Sequence, residues 1–296
     1  MKKYIMLSLV TLIFSCLVIL AMKNKIAEKI TREVNSREYQ MMLKESKFVA
    51  REKGFKEYWS LVKRLAKKHG VKVVEDSKPF KEKQREVVFY DTKDFDLQKF
   101  NYSLRKRTNY KKNKRQKTYE ISLKFRSNNK GVAAKADVSL TKRFTPDIEF
   151  EEDLKIKQGY PSELNSVFSL RNRIKNINIE LKNSIAGFAN IFPCLLKLGL
   201  KSDAELLIVN NTVIDERRIQ PGVLYFGEGL KVKVDITVWL KNKKPFLAEF
   251  SYDHKVDNKS KNTMIACEKF FKALYKATPD WVADGSSKTA KIYEIQ

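Results

Sequence analysis

Charged and apolar residues alternate along several stretches of this chain, and this two-residue period restricts its fold more than any other feature. Residues 230–239 alternate Lys, Asp and Thr with Val and Ile, and residues 118–126 alternate Glu, Ser, Lys and Arg with Ile, Leu and Phe. Successive side chains of a strand point to opposite faces, so each stretch predicts a β-strand with one apolar and one charged face. An open sheet with its polar face in water explains any single strand. Charges of both signs on strand after strand favour a closed barrel with a charged interior.

The remaining periodicity completes the predicted fold class. Helical spacing predicts helices at 55–68 and 262–276 and a third helical region within 162–200. Strands are predicted in eight stretches rich in Val, Ile, Phe and Tyr: 85–91, 102–108, 118–126, 135–143, 147–152, 205–220, 230–239 and 245–252. The predicted class is α+β: a closed antiparallel β-barrel, a tunnel with a charged interior and helices packed outside it.

The first residues predict a membrane segment. Residues 4–22 carry no charge, and nineteen helical residues span roughly 28 Å, close to the thickness of a bilayer core. We expect a retained anchor, with a cleaved signal peptide as the alternative and a lipoprotein at Cys16 as a third reading. The predicted organisation is an anchor or signal at 1–22, a polar tether at 23–37 and one domain at 38–296. Lysines and arginines just after the segment favour a single-pass protein with a cytoplasmic domain, whereas signal cleavage would export it.

Composition indicates an anionic partner and excludes several chemistries. Lys and Arg number 60 against 35 Asp and Glu, a formal net charge of +25. Neither a GxGxxG nor a GxxxxGK(S/T) run occurs, and two histidines exclude a histidine-rich zinc site. The basic run at 105–117 predicts a solvated hairpin tip, with anionic lipid as the alternative partner. Its single aromatic residue, Tyr110, offers no stacking platform, so no specific nucleic acid is expected.

Short motifs occur in a recognisable order along the chain. They are LKESKFV at 43–49, FYDT at 89–92, LRKR at 104–107, EFE at 149–151, KVKVD at 231–235, and Ser287-Lys288 preceding Tyr293. The ordered set resembles the CYTH family, the triphosphate tunnel metalloenzymes, over about residues 43–293. The resemblance implies a metal-dependent phosphohydrolase acting on an inorganic or organic triphosphate, with Mg²⁺ or Mn²⁺ as cofactor. An adenylate cyclase of the same family is an alternative.

The resemblance also implies roles for individual residues. It implies catalytic roles for Lys47 and Glu45. Candidate phosphate ligands, by their cationic side chains, are Arg105, Arg107, Lys124, Arg126, Arg143, Arg217 or Arg218, Lys231, Lys233 and Lys288. Implied metal ligands are Glu45, Glu149, Glu151, Asp235 and Glu249. Leu43 and Ser251 stand where the family has carboxylates, which keeps a catalytically degenerate polyphosphate- or nucleotide-binding module open as a second alternative.

Overall fold

The computed structural model describes residues 32–227, 229–256, 261–283 and 287–295, and Val34–Gln296 form one compact unit. The strands are β1 (Ser36–Leu43), β2 (Lys72–Glu75), β3 (Lys83–Asp91), β4 (Tyr102–Lys111), β5 (Lys114–Ser127), β6 (Asp147–Lys157), β7 (Tyr160–Ile177), β8 (Leu207–Ile208), β9 (Ile214–Ile219), β10 (Gly222–Phe226), β11 (Leu230–Lys241) and β12 (Lys244–Lys255). The helices are α1 (Arg51–Lys68), α2 (Asp96–Lys99), α3 (Lys130–Lys135), α4 (Ile185–Ala189), α5 (Lys261–Ala277) and α6 (Lys288–Tyr293). Three short 3₁₀ helices lie at Glu45–Phe48, Pro193–Leu198 and Val209–Asn211.

Nine strands close into a barrel. Their order is β12-β1-β6-β7-β5-β4-β3-β9-β11, and pairing of β11 with β12 completes the ring. The predicted closed barrel is therefore present, but it is mixed and not antiparallel, because β1 pairs with β6 in parallel. That parallel ladder is short, from the pair Ser36 and Glu151 to the pair Tyr39 and Leu154.

The apolar faces of the strands point outward and are covered by helices. α1 and α5 contribute Trp59, Phe270 and Phe271 to a core that also contains Val234 of β11 and Phe250 of β12. A second core lies between strands β3 to β7 and the segment containing α4 and Pro193–Leu198. Burial of these side chains supplies the hydrophobic stabilisation of the barrel wall.

One end of the barrel interior is apolar and is closed by the C-terminal helix. Val87, Phe89, Trp239 and Leu247 pack there with Ile292 of α6. Each of these strand residues lies an even number of positions along its strand from a residue that lines the charged interior. Its side chain is therefore on the inward face of the strand. The interior is therefore a charged cavity above an apolar floor.

Several sequence predictions are corrected by this architecture. The helices predicted at 55–68 and 262–276 are present as α1 and α5. The helical region predicted within 162–200 is present only in its second half, as α4 and the 3₁₀ helix Pro193–Leu198. Its first half, up to residue 177, belongs to β7, which pairs with β5 on one side and β6 on the other. No strand forms at 135–143; Lys135 ends α3, and the residues after it are irregular. Strand β1 was not predicted.

The expected single-pass membrane location is also corrected. In the part of the chain that the structure describes, no helix is both long and apolar enough to cross a membrane. The predicted segment at 4–22 lies outside the described residues.

The contact between α1 and the 3₁₀ helix before it gives a stability test. A Cβ atom at Gly54 would lie 2.4 Å from the Lys47 carbonyl oxygen and 2.9 Å from Phe48 Cδ1. We expect Gly54→Ala to lower the free energy of unfolding by about 1–3 kcal/mol through this overlap, although alanine favours helix by about 1 kcal/mol. Urea denaturation measures the change.

Gly131 in α3 is the matched control. The nearest atom to a Cβ there is Asn129 Oδ1, at 3.3 Å. Gly131→Ala should change the free energy of unfolding by less than about 1 kcal/mol in either direction. Equal effects of the two substitutions would contradict the packing described here.

Candidate active site

The barrel encloses a cavity of about 390 Å³ lined mostly by charged side chains. Ten cationic residues line it: Arg85, Arg105, Arg107, Lys124, Arg126, Lys155, Arg171, Arg173, Arg218 and Lys288. Eight carboxylates line it: Glu38, Glu120, Glu149, Glu151, Asp153, Glu216, Asp235 and Asp253. The two charge types are distributed unevenly over the strands, which gives the cavity a basic wall and an acidic wall.

The basic wall, Arg85, Arg105, Arg107 and Arg218, lies on β3, β4 and β9. Arg85 donates from Nε to Glu216 Oε1 at 2.6 Å, and Trp239 donates its indole N–H to Glu216 Oε2 at 2.9 Å. Glu216 thus connects the apolar floor to this wall. Burial alone would raise the pKa of Glu216, but Arg85 and Arg107 hold it well below its usual range.

Three cavity cations form no ion pair with any described residue. The Arg105 side chain makes neither an ion pair nor a hydrogen bond there, and its Nε atom is buried without a partner. Arg126 donates from Nη1 only to the Ser103 hydroxyl, at 3.0 Å. Lys155 also lines the cavity without an ion pair to the described part of the chain. Buried charges without partners are costly, so these groups mark where an anion would be stabilised.

Electrostatics around Arg105 indicates the same location. Burial holds the pKa of Arg105 well below its usual range, and the charges of Arg107 and Arg171 lower it further. Burial and the Arg85 charge lower the pKa of Arg107 to about 10, although Arg107 lies 3.3 Å from Glu120. An anion among these guanidinium groups would relieve both the burial cost and the mutual repulsion.

The acidic wall, Glu38, Asp153, Glu249 and Asp253, lies on β1, β6 and β12. Lysines already contact two of its members: Lys124 Nζ lies 3.4 Å from Asp153, and Lys288 of α6 pairs with Glu249. Burial and the neighbouring Glu249 and Asp153 raise the pKa of Glu38 to about 7. Glu38 therefore changes charge near neutral pH.

A hard divalent cation fits the chemistry of the acidic wall. The Oε2 atom of Glu249 is buried without a hydrogen-bond partner, and the repulsion that raises the Glu38 pKa would be relieved by a cation. Within the described residues, no group of three or more His, Cys, Asp or Glu side chains is arranged to hold a metal ion. Mg²⁺ does not require such a cage, because it commonly takes one or two carboxylates together with substrate phosphates and water.

The structure brings many of the predicted site residues together. Of the predicted phosphate ligands, the cavity contains Arg105, Arg107, Lys124, Arg126, Arg218 and Lys288. Of the predicted metal ligands, it contains Glu149, Glu151 and Asp235, and Glu249 contacts Lys288 beside them. Glu149 is paired with Arg171, Glu151 lies 3.0 Å from Lys124, and Asp235 lies 3.5 Å from Arg218.

The structure places the two predicted catalytic residues outside the cavity. Glu45 and Lys47 lie in the exposed 3₁₀ helix that follows β1, and Lys47 Nζ is 5.4 Å from the Trp281 ring centroid. The strand that carries polar side chains into the cavity is β1 itself, through Glu38 and Gln40. The motif was therefore placed too late in the sequence, at the end of β1 and beyond it, and Leu43 belongs to the buried outer face.

Four predicted phosphate ligands also lie elsewhere. Arg143 is exposed and donates to the Asn190 carbonyl at 3.2 Å. Arg217 points away from the cavity toward Asp215, because it precedes the inward-facing Arg218 on β9. Lys231 and Lys233 are exposed near the beginning of β11.

The sequence prediction missed much of the lining, in particular Arg171 and Arg173 on β7. Their two-residue spacing, with buried Leu170 and Ile174 on the opposite face, was the available signal. Asp153 and Lys155 continue the alternation of Glu149 and Glu151 and were missed because the predicted strand ended at residue 152. Glu120, Glu216 and Asp253 likewise share faces with residues that were selected, whereas Arg85 lies on β3, from which no site residue was selected.

Titration of Glu38 predicts a pH dependence of stability. A pKa raised to about 7 in the folded state, from 4.5 in the unfolded chain, means that the folded state binds more protons between these values. Stability is then fully present below about pH 4.5 and falls as pH rises to about 7. We expect the metal-free wild type to lose roughly 2–3 kcal/mol more than Glu38→Gln between pH 5 and 7.5. Urea denaturation in a chelator measures both slopes.

Glu52 on α1, whose carboxylate is exposed and pairs with Lys56, provides the control. Glu52→Gln should retain the wild-type slope in this interval. A Glu38→Gln slope equal to that of the wild type would contradict the assignment.

The chain is similar to known proteins in structure. No protein-family model and no curated protein matches the chain. HpAC1 from Hippeastrum, a candidate adenylyl cyclase described as having a dominant triphosphatase activity, is 14% identical with a TM-score of 0.43, over 88% of this chain and 95% of that one. A candidate adenylate cyclase from Bacillus halodurans is 12% identical with a TM-score of 0.40, over 88% and 98% of the two chains. Both neighbours are therefore similar to this chain at low sequence identity and with TM-scores below 0.5.

Proposed function

We propose that this chain binds a triphosphate-bearing small molecule in the barrel cavity and hydrolyses its terminal phosphoryl group. The observation that carries the proposal is the buried, unpaired Arg105 among Arg107 and Arg171, whose charges depress its pKa. Arginine presents paired N–H donors that match phosphate oxygens, and a polyanion with about four charges would offset several cations at once.

Arg105, Arg107 and Arg126 would hold the phosphate chain. They lie on the neighbouring strands β4 and β5, which fixes their spacing along one side of the cavity. The carboxylates Glu120 and Glu216 keep Arg107 and Arg85 in place without removing the excess positive charge. Guanidinium groups held in this way would stabilise the charge on phosphoryl oxygens without reorganising.

Glu249 and Asp153 would hold a Mg²⁺ or Mn²⁺ ion, which would neutralise phosphate charge when bound. Both carboxylates now contact lysines, Lys288 and Lys124. With Glu249 and Asp153 committed to a metal ion, the Lys288 and Lys124 ammonium groups would be available to bind phosphate oxygens. We therefore expect metal and triphosphate to bind with positive coupling.

Glu38 is suited to accept a proton from the attacking water. Its carboxylate lines the cavity, and burial, the largest cause of its raised pKa, would remain when a metal ion relieved the repulsion from Glu249 and Asp153. Water would add to the terminal phosphorus as the bond to the bridging oxygen breaks. The products are orthophosphate and a shortened phosphate chain, and the proton passes to Glu38.

Arg105 provides the direct test. Arg105→Met should weaken tripolyphosphate binding, measured calorimetrically, by at least about 100-fold, because it removes charge-assisted hydrogen bonds at a buried site. Arg143→Met, at an exposed arginine outside the cavity, is the matched control and should bind as the wild type does. Wild-type affinity in Arg105→Met would refute the proposed site.

Turnover distinguishes an enzyme from a binding module. Phosphate release from tripolyphosphate, ATP and thiamine triphosphate with Mg²⁺ or Mn²⁺ should occur and should fall at least about 10²-fold in Glu38→Gln. Tight binding without release under either metal would instead support the binding module, which is favoured by the carboxylates already paired with Lys124 and Lys288.

Metal coupling is measured by the same calorimetry. The apparent Mn²⁺ affinity should rise at least about 10-fold when a non-hydrolysed triphosphate analogue is present, which corresponds to about 1.4 kcal/mol of coupling. If metal and triphosphate bound independently, release of Lys124 and Lys288 from their carboxylates on metal binding would be excluded.

A further inference from the structure

The barrel wall has a gap between β1 and β6. Their ladder ends at the pair Tyr39 and Leu154, whereas β1 continues to Leu43 and β6 to Lys157. Beyond the last pair, β1 remains bonded to β12, and β6 remains bonded to β7. The two strands therefore separate at the end of the barrel that contains the apolar floor, where Met42 of β1 packs.

A small second cavity lies at this gap, which we call the β1/β6 seam. It has a volume of about 70 Å³ and is lined by Gln40, Met41, Met42, Lys155, Ile156, Gln158, Tyr275, Val282 and Ala283. One water needs roughly 10–15 Å³ on this measure, so the cavity has room for several waters or one tetrahedral oxyanion. Backbone bonds from Ala283 to Met42 and from Lys44 to Trp281 fix its outer border.

Two residues line both cavities, and both are polar. Gln40 and Lys155 belong to the lining of the seam and to that of the main cavity. Gln40 donates to Glu38 at 2.6 Å, whereas the Lys155 ammonium group forms no ion pair with a described residue. Burial lowers the pKa of Lys155, and Glu249 and Asp153 oppose this effect. A cation thus stands where the two cavities adjoin.

The apolar floor closes one end of the cavity and so restricts the routes by which an orthophosphate product could leave. Trp239, Phe89 and the C-terminal helix close the cavity at its apolar end. If the terminal phosphoryl group is the deepest part of the substrate, the orthophosphate formed from it lies behind the remaining phosphate chain. Departure through the main opening would then have to wait until that chain has left.

We propose that the β1/β6 seam binds the orthophosphate product and lets it leave, with Lys155 as its cationic ligand. This inference rests on the proposed function for the source of the orthophosphate. Binding of orthophosphate itself does not require turnover and is tested separately.

The binding test compares two neighbouring lysines on β6. Titration of inorganic phosphate into the full chain, followed by ³¹P NMR, should show at least 10-fold weaker binding in Lys155→Gln and less than 3-fold weaker binding in Lys155→Arg. Lys157→Gln should bind as the wild type does, because Lys157 points toward Glu163, 2.8 Å away, and not into the seam. Absence of orthophosphate binding in the wild type, or wild-type affinity in Lys155→Gln, would overturn the proposal.

Tripolyphosphate separates the seam from the main site. Because Lys155 also lines the main cavity, Lys155→Gln should weaken tripolyphosphate binding, but by a smaller factor than it weakens orthophosphate binding. Arg105→Met should show the opposite pattern, with orthophosphate binding largely retained. Loss of both ligands to the same extent in Lys155→Gln would place them in one site and refute a separate seam. If tripolyphosphate did not bind, the proposed function would be refuted. Orthophosphate binding that still depended on Lys155 would in that case leave the seam as an oxyanion site.

Release is tested at the outer rim, where Gln158 is exposed. Gln158→Trp places a large side chain over the seam without altering either wall of the main cavity. It should slow orthophosphate release in single-turnover experiments with a phosphate sensor at least 5-fold, whereas Gln158→Ala should not. Unchanged release in Gln158→Trp would show that the product leaves by another route.

Discussion

Charged side chains are costly to bury unless each finds a partner, and this cost governs the arrangement inside the barrel. Closure of nine strands encloses ten cations and eight carboxylates in one cavity. Most of them form ion pairs across neighbouring strands, such as Arg171 with Glu149 and Arg107 with Glu120. The remaining excess cannot be neutralised by the lining itself. It is concentrated at Arg105, Arg126 and Lys155, so the fold leaves a positive potential at defined positions and not over a general surface.

The carboxylates serve two different purposes in this arrangement. Glu120 and Glu216 lie within the basic wall and hold arginine side chains in fixed orientations. Glu38, Asp153 and Glu249 lie together on the opposite wall, where burial and mutual repulsion raise the pKa of Glu38. The charges of the ten cations and eight carboxylates nearly cancel, so the net charge of the cavity lining is small. The segregation of the charges, and not their sum, gives the two walls different chemistry.

The sequence predicts the barrel and half of the charged residues that line the cavity, because inward charges and outward apolar residues alternate visibly on β4, β5, β11 and β12. The same rule failed on β1 and β7 for physical reasons. β1 mixes Glu38 and Gln40 with Met42 on its inward face, since this strand passes from the charged cavity to the apolar floor. β7 is held between two partner strands, and its pairing overrides local preferences that resemble a helix. Which carboxylates share a wall depends on register between distant strands, which no local pattern contains.

The ladder between β1 and β12 has a consequence for how the protein is made. It joins Ser36 to Lys255 of the last strand, so the ring cannot close until all of its strands have left the ribosome. Until then, strands whose outer faces are apolar, such as β4 and β5, lack the complete barrel beside them. Contacts so distant along the chain form slowly, and unpaired strand edges associate readily with other chains. The nascent protein is thus expected to depend on chaperones for longer than a helical protein of equal length would.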